Sequence, residues 1–214
     1  MSMKNTPFKP YIFVTNRQLS VRPFLSQIEV ICRAHPRAIV LREKDLPEEE
    51  YWELAKPVLK ICADHAVPCI LHNYWQVAVK YAEAGLPLVG IHLSLPKLRE
   101  MRAANAESES EPEVKSAVQS STSFLIGCSI HAPEEAAEAE KLGASYLFAG
   151  HIYATECKKG LPPRGTGFLR DVCRAVHIPV YAIGGIRLND PEQLQEILDS
   201  GAAGGAVMSA CMRM

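Results

Sequence analysis

The stretch Tyr146-Leu147-Phe148-Ala149-Gly150-His151 decides the fold of this 214-residue chain. Four apolar residues run to a glycine, and one histidine opens the loop that follows. A continuous apolar run of this length reads as a strand covered on both faces, the habit of parallel sheets flanked by helices. The loop continues as IYATECKKGLPPRG, Ile152 to Gly165, and carries Lys158, Lys159 and Arg164 among glycines and prolines. An imidazole at the carboxyl end of a buried strand, beside fixed positive charge, suits proton transfer on an anionic ligand. The same histidine can also do no more than close the strand.

Seven similar segments flank this one: Tyr11 to Thr15, Ala38 to Leu41, Pro68 to Leu71, Leu88 to Ile91, Phe124 to Gly127, Pro179 to Ile183 and Gly204 to Met208. Helical patterns separate them. Pro133-Glu134-Glu135 opens one, because proline suits the first helical position and carboxylates suit the positive helix end. Asp190-Pro191-Glu192-Gln193 opens another, with Gln193 at the capping-box position and Gly201 as the stop. A third starts at Asp45 and Pro47-Glu48-Glu49-Glu50 and runs toward Ala66, with a kink expected at Pro57. Eight strands alternating with helices predict a (β/α)8 barrel in a single domain over 1–214. An open doubly wound sheet is the rival, but no GxGxxG follows the first strand. Asn105 to Ser123 breaks the rhythm: it is acidic and serine-rich, and reads as a solvated loop or, alternatively, an ordered lid.

Hydrophobic residues make up 48% and charged residues 22%, enough for a sizeable core and against general disorder. The formal net charge of −1 gives no basic field for nucleic acid. No signal pattern or membrane-length apolar run is present, so a cytoplasmic protein without membrane contact is expected. Seven cysteines without a CxxC pair fit reduced thiols, with Cys157 the one expected to be exposed and a weak nucleophile candidate.

In a barrel, function sits on the loops after the strands. These offer Arg42-Glu43-Lys44, His72-Asn73-Tyr74, His92, Cys128-Ser129, His151, Gly184-Gly185 and Met208-Ser209 in chain order. Gly184 and Gly185 with Ser209 match the corner where barrels bind phosphate through backbone N–H groups. Arg42, Lys44 and Lys158 should converge on the same mouth and imply an anionic ligand, a phosphate with a carboxylate in addition. Glu43 alternates in direction with its neighbours, so it should point away and pair with a cation. His72 and His92 read as barrel-packing residues with satisfied hydrogen bonds, and His131 as a neighbour of a helix cap. No His, Asp or Glu set has metal-ligand spacing, and no GxSxG elbow is present.

These residues also carry a family resemblance, from the first strand to the last. LREK (Leu41 to Lys44), HN (His72-Asn73), IHL (Ile91 to Leu93), IGCSIH (Ile126 to His131), AIGGI (Ala182 to Ile186) and AVMS (Ala206 to Ser209) resemble the thiamine phosphate synthase superfamily. Within it, GHIYATECKKG is most similar to the TenI branch, the thiazole tautomerases. Synthases typically have proline where His151 stands. They also show a glutamine where Val40 stands, Asn-Asp where Asn73-Tyr74 stands, and an aspartate near Ser94-Leu95-Pro96. Those two aspartates are the superfamily's magnesium ligands, and without them a diphosphate leaving group lacks its metal clamp.

The resemblance implies a cofactor-independent, metal-free isomerase that aromatises a thiazole carboxylate phosphate in thiamin biosynthesis. His151 would carry the proton. Gly184, Gly185, Met208 and Ser209 would hold phosphate, Arg42, Lys44 and Lys158 would supply the anion field, and Asn73 and Ser129 would contact the ring or its carboxylate. A thiamine phosphate synthase is one alternative, and a non-catalytic regulator retaining a phosphate pocket is another. The chain ends five residues past Ser209, so the family's eighth helix is essentially missing. An apolar groove between the first and seventh helices is then expected, filled by a partner copy in a homo-oligomer or by Met1 to Pro10.

Overall fold

The structure, a computed structural model, describes residues 8–107 and 124–214. Eight parallel strands close into a barrel in chain order: β1 (Tyr11–Val14), β2 (Ala38–Leu41), β3 (Cys69–His72), β4 (Gly90–Ser94), β5 (Leu125–Ile130), β6 (Tyr146–Gly150), β7 (Val180–Ile183) and β8 (Gly204–Val207). Helices α1 (Phe24–Arg33), α2 (Glu48–Asp64), α3 (Trp75–Glu83), α4 (Leu95–Glu107), α5 (Pro133–Lys141), α6 (Gly165–Ala175) and α7 (Pro191–Asp199) follow the first seven strands. The expected (β/α)8 barrel is therefore the observed fold. After β8 comes a one-turn 3-10 helix, Cys211–Arg213.

Successive residues of a strand face opposite sides, so each strand splits its side chains between two cores. Tyr11, Phe13, Ile39, Leu41 and Leu71 pack outward against the helices. Ile12, Val14, Ala38, Val40, Ile70, Tyr146, Phe148, Tyr181 and Ala206 fill the barrel interior. Both faces are apolar, which is why the strands are legible as continuous runs. The same alternation carries Arg42, His72, His92 and Met208 inward at the carboxyl end. It turns Glu43 outward.

Only β2 has its expected bounds; β1, β3, β6, β7 and β8 differ by one residue at one or both ends, and β4 and β5 by more. β4 begins at Gly90 rather than Leu88 and continues through Ser94, while β5 continues to Ile130. The two pair over five residues, from Gly90 with Leu125 to Ser94 with Ser129. His92, Ser94 and Ser129 thus sit within strands, because the upper barrel interior accepts polar groups that hydrogen-bond one another. Helix α2 runs unbroken through Pro57 as one element, and Pro47 rather than Asp45 stands at its start. Asp45 instead accepts two hydrogen bonds from the Arg17 guanidinium, each 2.6 Å. Helix α4 takes in Asn105 to Glu107, and the rest of the expected loop, 108–123, lies outside the described residues.

The ground between α1 and α7 is partly covered by the terminal turn. Cys211 and Met212 are fully buried there, and the Gln27 amide donates to the Cys211 carbonyl at 2.9 Å. Of Met1 to Pro10 only Phe8, Lys9 and Pro10 are described. Phe8 packs edge-on against Phe13, and Gly205 N–H donates to the Pro10 carbonyl.

Candidate active site

A cavity of about 480 Å³ opens at the carboxyl end of the barrel. All ten site residues expected from the sequence line it: Arg42, Lys44, Asn73, Ser129, His151, Lys158, Gly184, Gly185, Met208 and Ser209. His72, His92, Ser94, His131, Thr155 and Cys157 line it too. No carboxylate does so among the described residues.

The cations gather as the alternation dictates. Arg42 is held through its backbone N–H, which donates to Thr15 Oγ1 at 2.9 Å, and its guanidinium reaches Met208 Sδ at 3.8 Å. Burial pulls the Arg42 pKa below its usual value. Lys44 is lowered as well, first by burial and then by the charges of Arg42 and Lys158. Lys44 thus sits beside two cations that depress it, and an anionic ligand would supply a counter-ion. Glu43 partly offsets the burial of Arg42 but does not line the cavity. It is buried on the outer face, where Thr15 Oγ1 donates to it at 2.6 Å and Arg17 N–H at 2.9 Å.

His151 leaves β6 across a cis Gly150–His151 peptide bond. Its carbonyl accepts from Arg164 N–H, and the next amide, Ile152 N–H, donates to Ile183. Its Nε2 lies 3.4 Å from the Leu161 carbonyl oxygen. A carbonyl only accepts, so Nε2–H is the donor in that contact.

The corner after β7 is built by glycine. Gly184 has φ +94°, and a Cβ there would run into the His151 side chain. Gln193 fixes the turn by donating to the Gly185 carbonyl at 3.1 Å and accepting from Arg187 N–H at 2.8 Å. The capping-box role expected of Gln193 is thus replaced by support of this loop. Asp190 alone caps α7, accepting from Gln193 N–H at 2.9 Å. No backbone hydrogen bond among the described residues draws on the N–H of Gly184, Gly185, Met208 or Ser209.

Two imidazoles form the floor. His92 is bonded at both nitrogens, Nδ1 to Tyr146 Oη at 3.0 Å and Nε2 to Ser129 Oγ at 2.8 Å. Burial lowers its pKa to about 3, so it is neutral. His72 lies nearly parallel to it at 6.0 Å and is also kept neutral, first by burial and then by His92, Arg42 and Lys44. His131 lies at the rim, its N–H donating to Glu135 at 2.6 Å, as a cap neighbour would. Cys157 is exposed.

Comparison with known proteins agrees over the whole barrel. Residues 11–211 match the family model described as thiamine monophosphate synthase. A protein of Streptococcus pneumoniae named thiamine-phosphate synthase 2 is 33% identical over 201 residues, covering 94% of this chain and 86% of that protein. A thiamine-phosphate synthase of Pyrococcus horikoshii is 31% identical over 204 residues, covering 95% and 86%. Among solved structures, a thiamine phosphate pyrophosphorylase from Pyrococcus furiosus superposes with a TM-score of 0.69 at 28% identity, covering 97% and 88%.

Proposed function

The chain belongs to the thiamine monophosphate synthase family, and within it we propose an isomerase of thiamin biosynthesis, a thiazole tautomerase acting on a thiazole carboxylate phosphate. The observation that carries this reading is the loop imidazole of His151, set at a cavity with three cations and no carboxylate among the described residues. His151 Nδ1 takes the proton from the carboxyl-bearing ring carbon. The electron pair shifts into the ring system, and the proton is returned to the exocyclic carbon, giving the aromatic thiazole. Arg42, Lys44 and Lys158 stabilise the charge that develops on the carboxylate side. The amides of Gly184, Gly185, Met208 and Ser209 hold the phosphate.

Synthase activity is the second reading, and the names of the relatives favour it. That chemistry expels diphosphate and calls for magnesium, a hard cation that prefers carboxylates. The cavity offers Asn73, Ser94, Ser129 and imidazoles instead. The Asn73 side-chain oxygen is already engaged by Ser94 N–H at 3.3 Å. These residues do not fit the metal.

One experiment separates the two readings. The purified protein is given the non-aromatic thiazole carboxylate phosphate and followed by proton NMR, and in parallel the pyrimidine diphosphate with thiazole phosphate. Rapid aromatisation, indifferent to chelator or added magnesium, is the expected result. Magnesium-dependent formation of thiamine phosphate without aromatisation would replace the isomerase with the synthase.

A further inference from the structure

The line Tyr146–His92–Ser129 crosses the barrel interior and ends at the ligand cavity. We propose that Tyr146 and His92 are positioning residues that aim the Ser129 hydroxyl proton into the cavity, making Ser129 a fixed donor to a carboxylate on the ligand. The identity of that carboxylate rests on the thiazole carboxylate reading above. The direction of the hydroxyl does not.

The argument is a count of protons. His92 is 1% exposed and neutral, so its ring carries one proton for two contacts. Burial also raises the Tyr146 pKa, keeping it a phenol with one proton. If Tyr146 donates to Nδ1, then Nε2–H donates to Ser129 Oγ, and the serine proton is free to turn toward the cavity. In the reverse order Ser129 donates to Nε2 and Nδ1–H donates to Tyr146. The phenol proton, on a residue 5% exposed, is then left without an acceptor among the described residues. Leaving a buried donor unmade carries its full desolvation penalty, which favours the first order. Two further features hold the chain in place. Gly127 pairs with His92 across β4 and β5, and a Cβ there would strike the Tyr146 ring and His92 Nδ1. Phe148 lies against the His92 ring at 4.2 Å between centroids.

The test begins without ligand. In protein labelled with 15N-histidine, two-bond proton–nitrogen correlation reads the His92 tautomer, assigned by loss of its signals in His92→Gln. A proton on Nε2 and a bare Nδ1 are expected, and a proton on Nδ1 would overturn the proposal. Tyr146→Phe should release the tautomer, and an unchanged spectrum would remove Tyr146 from the chain. Binding is then measured for the aromatic thiazole carboxylate phosphate and for the same thiazole phosphate without carboxylate. Ser129→Ala and Tyr146→Phe should each weaken the first roughly tenfold and the second less than twofold. The double variant should be no worse than either single one. Additive losses would mean independent structural effects and defeat the inference. If the wild type bound neither thiazole, the proposed function would fall while the tautomer still decided the inference.

Discussion

The two ends of the barrel have cavities of similar scale and opposite character. The amino-end hollow is the larger, about 680 Å³ against about 480 Å³, and it too is edged by cations, Lys9 and Arg37. Its loop amides, however, are tied into the sheet. Arg37 N–H donates to Tyr11, Val89 to Cys69, Ser145 to Ile126 and Ala203 to Val180. At the carboxyl end the turns after β7 and β8 leave their amides out of that network. Volume and charge alone do not make a site here. The distinguishing feature is a set of donors with no backbone partner among the described residues.

The sharpest way to break this contrast is at His151. General acid–base groups contribute on the order of 10²–10⁴-fold in rate. His151→Ala and His151→Gln should both lower aromatisation by about that factor, with ligand affinity nearly unchanged by calorimetry. A His151→Gln variant that kept most of its turnover would reduce the histidine to an orienting group. Next comes Gly184→Ala, which forces a side chain into φ +94° and against His151. It should lower kcat/KM on the order of 100-fold, because small displacements at a reacting centre are costly. Unlike the His151 variants, it should also weaken phosphate binding.

The strands were legible because apolar residues on both faces leave no other reading for four- and five-residue runs. Where the boundaries of β4 and β5 slipped, the cause was the polar upper interior: His92, Ser94 and Ser129 resemble residues past a strand end. The residues lining the carboxyl-end cavity were legible from their place after each strand, and the outward turn of Glu43 from alternation alone. Gln193 and Tyr146 were not. Gln193 occupies a capping position by sequence, and only the turn at Gly185 shows its other use. Tyr146 counts as the first apolar residue of β6 until its hydroxyl is found on His92.

The buried imidazoles link the site to stability. His72 and His92 are held neutral in the fold, with pKa values depressed below the unfolded value. Between the folded and unfolded pKa values the unfolded chain binds more protons, so stability rises with pH there and is lost as pH falls below about 6.5. Each imidazole contributes a slope of up to about 1.4 kcal/mol per pH unit in that window. Urea unfolding from pH 7 to pH 4.5 should show the decline, and His92→Gln should flatten it. An unchanged slope in that variant would mean that His92 is charged in the fold or that other groups dominate.

The smallest expected effect is the most direct check on the two ends. Arg42→Ala removes a half-buried guanidinium from the carboxyl-end cavity and should weaken the thiazole carboxylate phosphate roughly tenfold, as loss of one charged hydrogen bond does. Arg37→Ala removes the same charge from the amino-end hollow, at the opposite end of the same sheet. If net charge drew the ligand in, both variants would weaken it similarly at low salt, and added salt would erase the difference. If the unpartnered amides and the cations beside them form the site, Arg37→Ala stays within about twofold of the parent by calorimetry while Arg42→Ala does not. Equal losses would show that the amino-end cavity takes part in binding, and the asymmetry drawn from the backbone hydrogen bonds would fail.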